Sequence, residues 1–544
     1  MSHHNLTIFG CFAAGSFLIK KVRLFLMTLK KKITKLIPWL LFLVLAFTYT
    51  FVLAKPIDLT ITDIGRHLVN GREIINQHWQ VVFTNTYSYT MPDQNFINHH
   101  WLTGVIFWLI FSVGDFFYLH LFHTVILLSF LGCFFYLLRS KSSASVGFFV
   151  SLLALVFLAT RTEIRPESFG YLLSSIYLII INHIQKTKKI SFKTITGVFL
   201  LQLIWVNLHI SFVFGLFVFG LFGLLELGSQ HTLKKENKRN LIILLIVMVL
   251  TALFNPNTVQ GALTPFTIFQ DYGYKVFENQ NLWFLRSFYP GPIIPLFYLT
   301  AITTIVFLLV FSKAPLFDKA LAVTGIFLGW TALRNMPIFV IFAFPFLAIA
   351  LQELIKNLKN NLTFEEPKLA QFLFLIIPLT MLWLTLASHP FFKKSNKAFE
   401  LGLINGQQET IEFLQKLPEG SRIFNNYDVG SALVFSLYPK QKVFVDNRPE
   451  AYSSSFFQNL YIPAQSSETI WEKAVLTYQF DFIVFGHRDI TPWAQIFIKN
   501  RLRDSNWKMI YIDDFIFIFA KDTPDNKALI DQYSVEVPLS RLKI

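Results

Sequence analysis

The chain has 544 residues, of which 53% are hydrophobic and only 15% are charged, and its mean hydropathy is +0.49. Soluble domains carry about 25% charged residues, so this composition excludes an ordinary soluble protein and indicates a polytopic α-helical membrane protein. The net charge of +15 arises before His389, because 18 Lys and Arg after that point balance 18 Asp and Glu. Basic clusters beside apolar segments follow the positive-inside rule, so we expect contact with membrane lipids and no nucleic-acid partner.

Apolar segments of roughly 16–23 residues, the length of a membrane span, recur through the first 388 residues. They predict about eleven transmembrane helices, at 37–54, 116–138, 146–160, 168–184, 194–209, 211–227, 240–254, 293–312, 319–335, 336–355 and 369–388. The apolar segment 102–113 is shorter. If it crossed the membrane, the later basic clusters would fall on the wrong side, so we predict that it lies along the membrane surface.

The charge pattern divides the chain into three parts. Residues 1–36 are basic and are expected to be cytoplasmic, residues 37–388 form the membrane domain, and residues 389–544 form a soluble α/β domain on the extracytoplasmic face. The loop 55–100 is then also external. The abundance of Phe and Lys favours a bacterial source, so the expected location is the bacterial cytoplasmic membrane.

The polar tail contains both helical and strand patterns. Helices are predicted at 407–416, at 469–478 with Thr469 and Glu472 at capping-box spacing, and from the N-cap Thr491 with Pro492 at the first position. Strands are predicted at 442–445 and 480–485, and a hairpin is predicted from 509–512 and 515–519.

Charged and polar side chains gather in the segments predicted to be external. Charge close to hydrocarbon is costly, so residues such as Asp63 beside the first span are candidates for function. A carboxylate can act as a general base or bind a divalent cation, and arginine pairs well with phosphate. The predicted catalytic residues are Asp63, Glu163 and Glu167, and the predicted substrate-binding residues are Arg66, His67, His99, His100, Arg165, Asn207, His209, Arg286 and Arg334.

Several of these residues also have a structural interpretation. Arg165 and Glu167 could simply pair with each other, and Asn207 and His209 could cap a helix end. In the tail, the segment Asp446-Asn447-Arg448 is predicted to shape a turn rather than to take part in chemistry.

With these motifs the chain resembles the GT-C superfamily of membrane glycosyltransferases, and more closely a bacterial branch of it. The resemblance rests on residues 63–75 beyond the first span, on 98–102, on Trp205-Val206-Asn207-Leu208-His209, and on 424–430 and 443–448 in the tail. It implies a GT-C-like membrane domain whose external loop 55–100 is catalytic. It also implies a polyprenyl-phosphate-linked sugar as donor, a lipid, glycan or protein as acceptor, and transfer with inversion.

The resemblance also implies roles for individual residues. Asp63 matches the catalytic acidic residue of the first loop and would be the general base, while Glu163 and Glu167 stand near a second acidic motif. The chain departs from the pattern because this second loop lacks Asp-x-Asp, and Asn98-His99-His100 replaces the usual Pro-Pro. No cofactor is assigned with certainty, and a Mg²⁺ or Mn²⁺ ion held by Asp63 and Glu163 remains open.

Other functions are compatible with a membrane protein of this kind. A transporter or flippase would place ionisable groups in mid-membrane, whereas the predicted spans hold few of them, with His123 the clearest case. A ligase or polymerase of lipid-linked polysaccharide would use similar arginines and an external loop. A non-catalytic scaffold would tolerate replacement of Asp63 and Arg165.

Overall fold

The computed structural model describes residues 36–361 and 400–535, apart from 93, 229–232, 269, 290, 312–313 and 488, together with residues 380 and 383. The predicted cytoplasmic segment 1–36 lies outside the described residues except for its last one. The predicted span 369–388 lies outside them except for residues 380 and 383.

The membrane part of the chain is helical. In chain order its helices are α1 (Leu36–Leu53), α2 (Ile64–Ile75), α3 (Trp101–Lys141), α4 (Ala144–Leu158), α5 (Glu167–Thr187), α6 (Phe192–Leu208), α7 (Phe212–Gly228), α8 (Lys235–Thr251), α9 (Thr258–Thr267), α10 (Leu282–Leu285), α11 (Ile293–Val310), α12 (Leu316–Thr331) and α13 (Met336–Asn361). Short 3₁₀ turns lie at Trp79–Val82, Phe277–Asn279 and Leu333–Asn335.

An α-helix overlaps each of the first ten predicted spans over most of its length. Four described helical stretches are long and apolar enough to cross a membrane: Leu36–Leu53, Trp101–Lys141, Ile293–Val310 and Leu333–Leu358. Shorter apolar helices lie at Ala144–Leu158, Phe192–Leu208 and Phe212–Gly228. The prediction of a helical membrane domain is confirmed, whereas the number eleven stays a prediction.

Helix α3 changes direction in its first half. Gly114 and Asp115 have non-helical dihedral angles, which separate residues 101–113 from the apolar span that follows. A Cβ atom on Gly114 would lie 1.5 Å from the ring of Tyr118, so a larger residue requires this exposed ring to move. The kink therefore sets the short segment apart from the span, and its position along the membrane surface stays a prediction.

The C-terminal region is the predicted α/β structure. Its helices are α14 (Gln407–Leu414), α15 (Gly430–Leu437), α16 (Ser454–Phe456), α17 (Ile462–Ser466), α18 (Glu468–Tyr478), α19 (Pro492–Arg501) and α20 (Lys527–Tyr533), with a π-helical turn at Phe457–Tyr461. Its strands are β1 (Ile423–Asn425), β2 (Phe482–Gly486), β3 (Trp507–Ile512) and β4 (Ile516–Lys521). The sheet order is β1-β2-β4-β3, with β1 and β2 parallel and the other pairs antiparallel.

Most predicted elements of the tail are present, and two details are wrong. The hairpin β3–β4 and the helices α14, α18 and α19 are confirmed. The predicted strand 442–445 is reduced to isolated bridges from Val443 to Ser88 and Ile423. The capping box at Thr469 is wrong, because α18 begins after Ser467, which makes no side-chain cap hydrogen bond. Residue β-propensity does not show that 442–445 pairs through single bridges, one to a loop and one to the first residue of β1.

Hydrogen bonds to the backbone connect the C-terminal region to the loop 55–100. Ile57 bridges to Leu403, and Asn85 Nδ2 donates to the carbonyl of Ala451 at 3.0 Å. Helix α2, which lies in this loop, packs on both sides. A Cβ on Gly65 would lie 2.5 Å from the carbonyl oxygen of Ser431 in α15, and one on Gly71 would lie 2.1 Å from that of Gly104 in α3.

We predict that Gly71→Ala destabilises the protein by roughly 1–3 kcal/mol, because the added methyl group forces α2 away from α3. Gly220→Ala in α7 is the matched control, since a Cβ there meets open space. Thermal unfolding in detergent should show a lower Tm for the first variant and a Tm near wild type for the second. Equal Tm values for the two variants would contradict this account of the helix contact.

Candidate functional site

The carboxylate of Asp63 lies at the start of α2, where Asp63 occupies the N-cap position without capping the helix through its side chain. Its Oδ1 accepts a hydrogen bond of 2.5 Å from Nδ2 of Asn447 in the C-terminal region. Its Oδ2 lies 3.5 Å from Nη1 of Arg165 and 3.9 Å from Nη2 of Arg66. The side chain is 26% exposed, so a ligand can reach it.

The guanidinium group of Arg66 is held beside this carboxylate. Its Nε donates to Oδ1 of Asn447 at 3.4 Å, and the backbone N–H of Arg66 donates to Oγ of Ser431 at 3.0 Å. The residue is buried, and its Nη1 has no hydrogen-bond partner among the described residues. A buried donor of this kind is costly unless a ligand or water satisfies it.

An ion-pair network joins the segment 161–167 to two other connections. Arg161 pairs with Glu167 at the start of α5 and with Glu278 of the loop before α10, while Arg165 donates to Glu278 at 2.8 Å. Arg334, between α12 and α13, donates to Glu167 at 3.3 Å and to Asn279 at 2.9 Å. Arg165 does not pair with Glu167, the structural alternative considered from the sequence. It pairs with Glu278, while Glu167 pairs with Arg161 and Arg334.

The positive charges of this network lower the pKa of its carboxyl groups. Burial by itself would raise the pKa of Glu278, but the guanidinium groups of Arg161, Arg165 and Arg334 outweigh it and hold that pKa well below its usual range. Glu278 therefore stays ionised and anchors two arginines beside Asp63.

Glu163 lies at the edge of the same network. Its Oε2 is buried and accepts no hydrogen bond from the part of the chain that the structure describes. Burial lowers the pKa of Lys55 to about 8, and the charge of Glu163 opposes that shift.

Four histidines form a cluster next to the arginines. Ring centroids are 5.3 Å apart for His67 and His100, 3.8 Å for His99 and His100, and 5.0 Å for His100 and His209. Burial, followed by nearby positive charge, lowers the pKa of His99 to about 4 and holds that of His67 well below its usual value. Neutral imidazoles can both donate and accept hydrogen bonds, so this cluster can line a polar ligand at neutral pH.

Two predicted binding residues have other contacts. Asn207 accepts from Nε1 of Trp101 at 3.0 Å and donates to the carbonyls of Leu203 and Phe254, which ties the end of α6 to its neighbours. Arg286 is exposed, and its guanidinium lies 3.5 Å from the ring centroid of Trp283. Substrate contact by either residue stays a prediction.

The donor set does not fit a resident divalent cation. Within the described ranges there is no group of three or more His, Cys, Asp or Glu placed to hold a metal ion. A guanidinium group already lies 3.5 Å from Oδ2 of Asp63, where a cation would bind. The metal site that the sequence left open, with Asp63 and Glu163 as ligands, gains no third His, Cys, Asp or Glu ligand from the described residues.

Sequence reasoning missed two residues of the site. Glu278 is one of only two acidic residues in the loop 255–291. Its scarcity there is the sequence feature that could have marked it as a candidate. Asn447 was assigned to a turn, and nothing local to the tail indicates that it meets Asp63, 384 residues away in the chain.

The comparison with solved structures identifies the fold. No family model and no curated protein matches the sequence. Among solved structures, the chain is similar to the oligosaccharyltransferase AglB from Archaeoglobus fulgidus in complex with an inhibitory peptide and a dolichol-phosphate, with TM-score 0.58 and 10% identity over 90% of this chain and 75% of that one. It is also similar to ArnT from Cupriavidus metallidurans, with TM-score 0.54 and 12% identity over 92% of this chain and 99% of that one. The chain therefore shares the fold of these two structures, which is the fold that the sequence resemblance implies.

We predict that Glu278→Gln lowers Tm, most strongly at neutral pH. A carboxylate whose pKa is depressed on folding stabilises the folded state fully above about pH 4.3, the usual value for Glu, and this contribution is lost as the pH falls toward the depressed value. The Tm difference from wild type should therefore shrink between about pH 5 and pH 3. The exposed Glu472→Gln serves as control. A difference for Glu278→Gln that does not vary with pH would contradict the ion-pair interpretation.

Proposed function

We propose that this chain is a membrane glycosyltransferase that moves a sugar from a polyprenyl-phosphate-linked donor to an acceptor on the extracytoplasmic face. The observation that carries the proposal is the partly exposed carboxylate of Asp63, held between the amide of Asn447 and the guanidinium groups of Arg165 and Arg66. A base beside phosphate-binding groups, at the end of a membrane-helix bundle, is what transfer from a lipid phosphate requires.

In the proposed reaction Asp63 is the general base. It accepts the proton of an acceptor hydroxyl group, whose oxygen forms a bond to the anomeric carbon from the side opposite the phosphate. The bond between that carbon and the phosphate oxygen breaks, the phosphate leaves with the electron pair, and the configuration inverts. Arg165 and Arg334 stabilise the negative charge that develops on the phosphate.

Glu167 and Glu278 have a supporting part in this proposal. Each is engaged in ion pairs with arginines, so we assign them to holding the guanidinium groups rather than to proton transfer. The neutral histidines His67, His99, His100 and His209 would line the donor sugar or its phosphate. Glu163, with its buried oxygen, remains a second candidate carboxylate near the reacting groups.

The position of basic residues supports the proposed orientation. Arg139 and Lys141 lie in the last turn of α3 and Lys186 in the last turn of α5, at the end of the bundle opposite the segment 161–167. Positive charge favours the cytoplasmic side, which puts Asp63 and the C-terminal region outside, in a bacterial cytoplasmic membrane.

The fold comparison supports the class of donor. The AglB structure is described as a complex with a dolichol-phosphate, so a protein of this fold accommodates a polyprenyl phosphate. That complex also contains an inhibitory peptide. For the present chain we propose a lipid, glycan or protein as acceptor.

We predict that Asp63→Asn lowers transfer by about 10²–10⁴-fold, the usual effect of removing a general base. Membranes or purified protein receive a panel of radiolabelled polyprenyl-phosphate sugars, and label reaching the acceptor fraction is measured. Asp514→Asn, at the exposed hairpin tip, is the control and should transfer at the wild-type rate. Wild-type activity in Asp63→Asn would overturn the assigned base. Absence of transfer from every donor by the wild type would favour a transporter or flippase.

We also predict that transfer continues after divalent ions are removed with EDTA. The guanidinium group of Arg165 supplies positive charge beside Oδ2 of Asp63, where a metal ion would otherwise bind. The rate with EDTA should stay within about twofold of the untreated rate, a change too small to reflect loss of a metal that stabilises charge. Loss of activity that Mg²⁺ or Mn²⁺ restores would contradict this expectation.

A further inference from the structure

We propose that Asn447 is a positioning residue for the catalytic base, so that the C-terminal α/β region completes the active site. This inference rests on the proposed function. The side chain of Asn447 bridges two groups of α2: Nδ2 donates to Oδ1 of Asp63 at 2.5 Å, and Oδ1 accepts from Nε of Arg66 at 3.4 Å. A single amide therefore orients the carboxylate and one guanidinium group together.

The turn that carries Asn447 is held rigidly on both sides. Asp446 and Arg448 are fully buried and form a two-pronged ion pair, with Nε to Oδ1 at 2.7 Å and Nη2 to Oδ2 at 2.6 Å. The hydroxyl group of Tyr452 lies 3.1 Å from Oδ2 of Asp446. A Cβ on Gly430 would lie 2.5 Å from Cα of Asp446, so the start of α15 presses directly against the turn.

The same turn is locked to the loop that contains Asp63. Nη2 of Arg448 donates to Oδ1 of Asn85 at 2.6 Å, and its guanidinium lies 4.9 Å from the ring centroid of Tyr87 and 4.5 Å from that of Phe96. These three residues belong to the loop 55–100. Because Arg448 is buried with its charge satisfied, its contacts fix the distance between the C-terminal region and the loop, and hence place Asn447 at Asp63.

This placement matters because of what else surrounds Asp63. Arg66 and Arg165 lie 3.9 and 3.5 Å from Oδ2, just beyond hydrogen-bonding distance. A carboxylate that turned toward either guanidinium would form a strong two-pronged pair and lose its capacity to accept a proton. The hydrogen bond from Asn447 occupies Oδ1 and leaves only Oδ2 to face the two arginines, a restraint that electrostatics alone would not provide.

The test is Asn447→Asp, which keeps the shape of the side chain, removes the donor and adds a negative charge. The groups that face Asp63 are Arg66 of α2, Arg165 of the segment 161–167, and Tyr427 and Asp428 of the C-terminal region. For Asn447→Asp we expect kcat to fall by about 10–100-fold, because the base is misplaced, and KM to stay within about twofold of wild type. The acid limb of the pH–rate profile should move to higher pH, because a second carboxylate disfavours ionisation of the base.

Asn459→Asp is the matched control, since Asn459 is exposed on the same region and receives the same change in charge. It should leave kcat, KM and the pH profile at wild-type values. Asn447→Ala, which adds no charge, is the second variant and should lower kcat. If Asn447→Ala folds and Asn447→Asp does not, the kcat of Asn447→Ala decides whether Asn447 positions the base. Folding of every variant is checked by gel filtration in detergent and by Tm.

The outcomes separate this inference from the proposed function. If Asp63→Asn is inactive while both Asn447 variants keep wild-type kcat and pH dependence, Asn447 has no positioning role and the base assignment stands. If the Asn447 variants raise KM alone, the residue binds substrate and the inference is wrong. If Asp63→Asn transfers normally, the proposed base fails irrespective of Asn447.

Discussion

The site depends on a chain of alternating charges across several connections between helices. Asp63, Arg165, Glu278, Arg161, Glu167 and Arg334 follow one another in contact. Partly buried ions of one sign would be strongly destabilising, and alternation of sign offsets that cost. The neighbouring guanidinium groups hold the pKa values of Glu167 and Glu278 below their usual range. The helix ends and loops that carry these residues are therefore bound together by charge at a place where apolar packing cannot hold them.

The two ends of this chain of charges have different environments. At one end Glu167 and Glu278 are saturated by guanidinium groups, so they serve to hold arginines in place. At the other end Asp63 accepts one strong hydrogen bond at Oδ1, from an uncharged amide, and its Oδ2 lies 3.5 Å from Arg165 and 3.9 Å from Arg66. Glu167 and Glu278 pair with several arginines and serve as anchoring groups. Asp63 has fewer charged partners and is therefore the candidate base.

The soluble region contributes directly to this arrangement. The buried pair of Asp446 and Arg448 has its charge satisfied within the C-terminal region, and the same arginine reaches Asn85 and two aromatic rings of the loop 55–100. Contacts at Gly65 and Ser431 bring α2 and α15 together at backbone distance. The connections between the membrane helices supply most of the charged groups, and we propose that the α/β region sets the orientation of the one that reacts.

The amino-acid sequence by itself determined the class of protein, because a mean hydropathy of +0.49 and repeated apolar segments admit few alternatives. It also placed Asp63, Arg165, His67, His99 and His100 in connections between predicted spans, and His209 and Arg334 at the ends of predicted spans, since charge is excluded from hydrocarbon. Only the tertiary structure decided which of these groups meet. Glu278 joins Arg165 across 113 residues and Asn447 joins Asp63 across 384, and no local pattern encodes contacts formed by packing of distant segments.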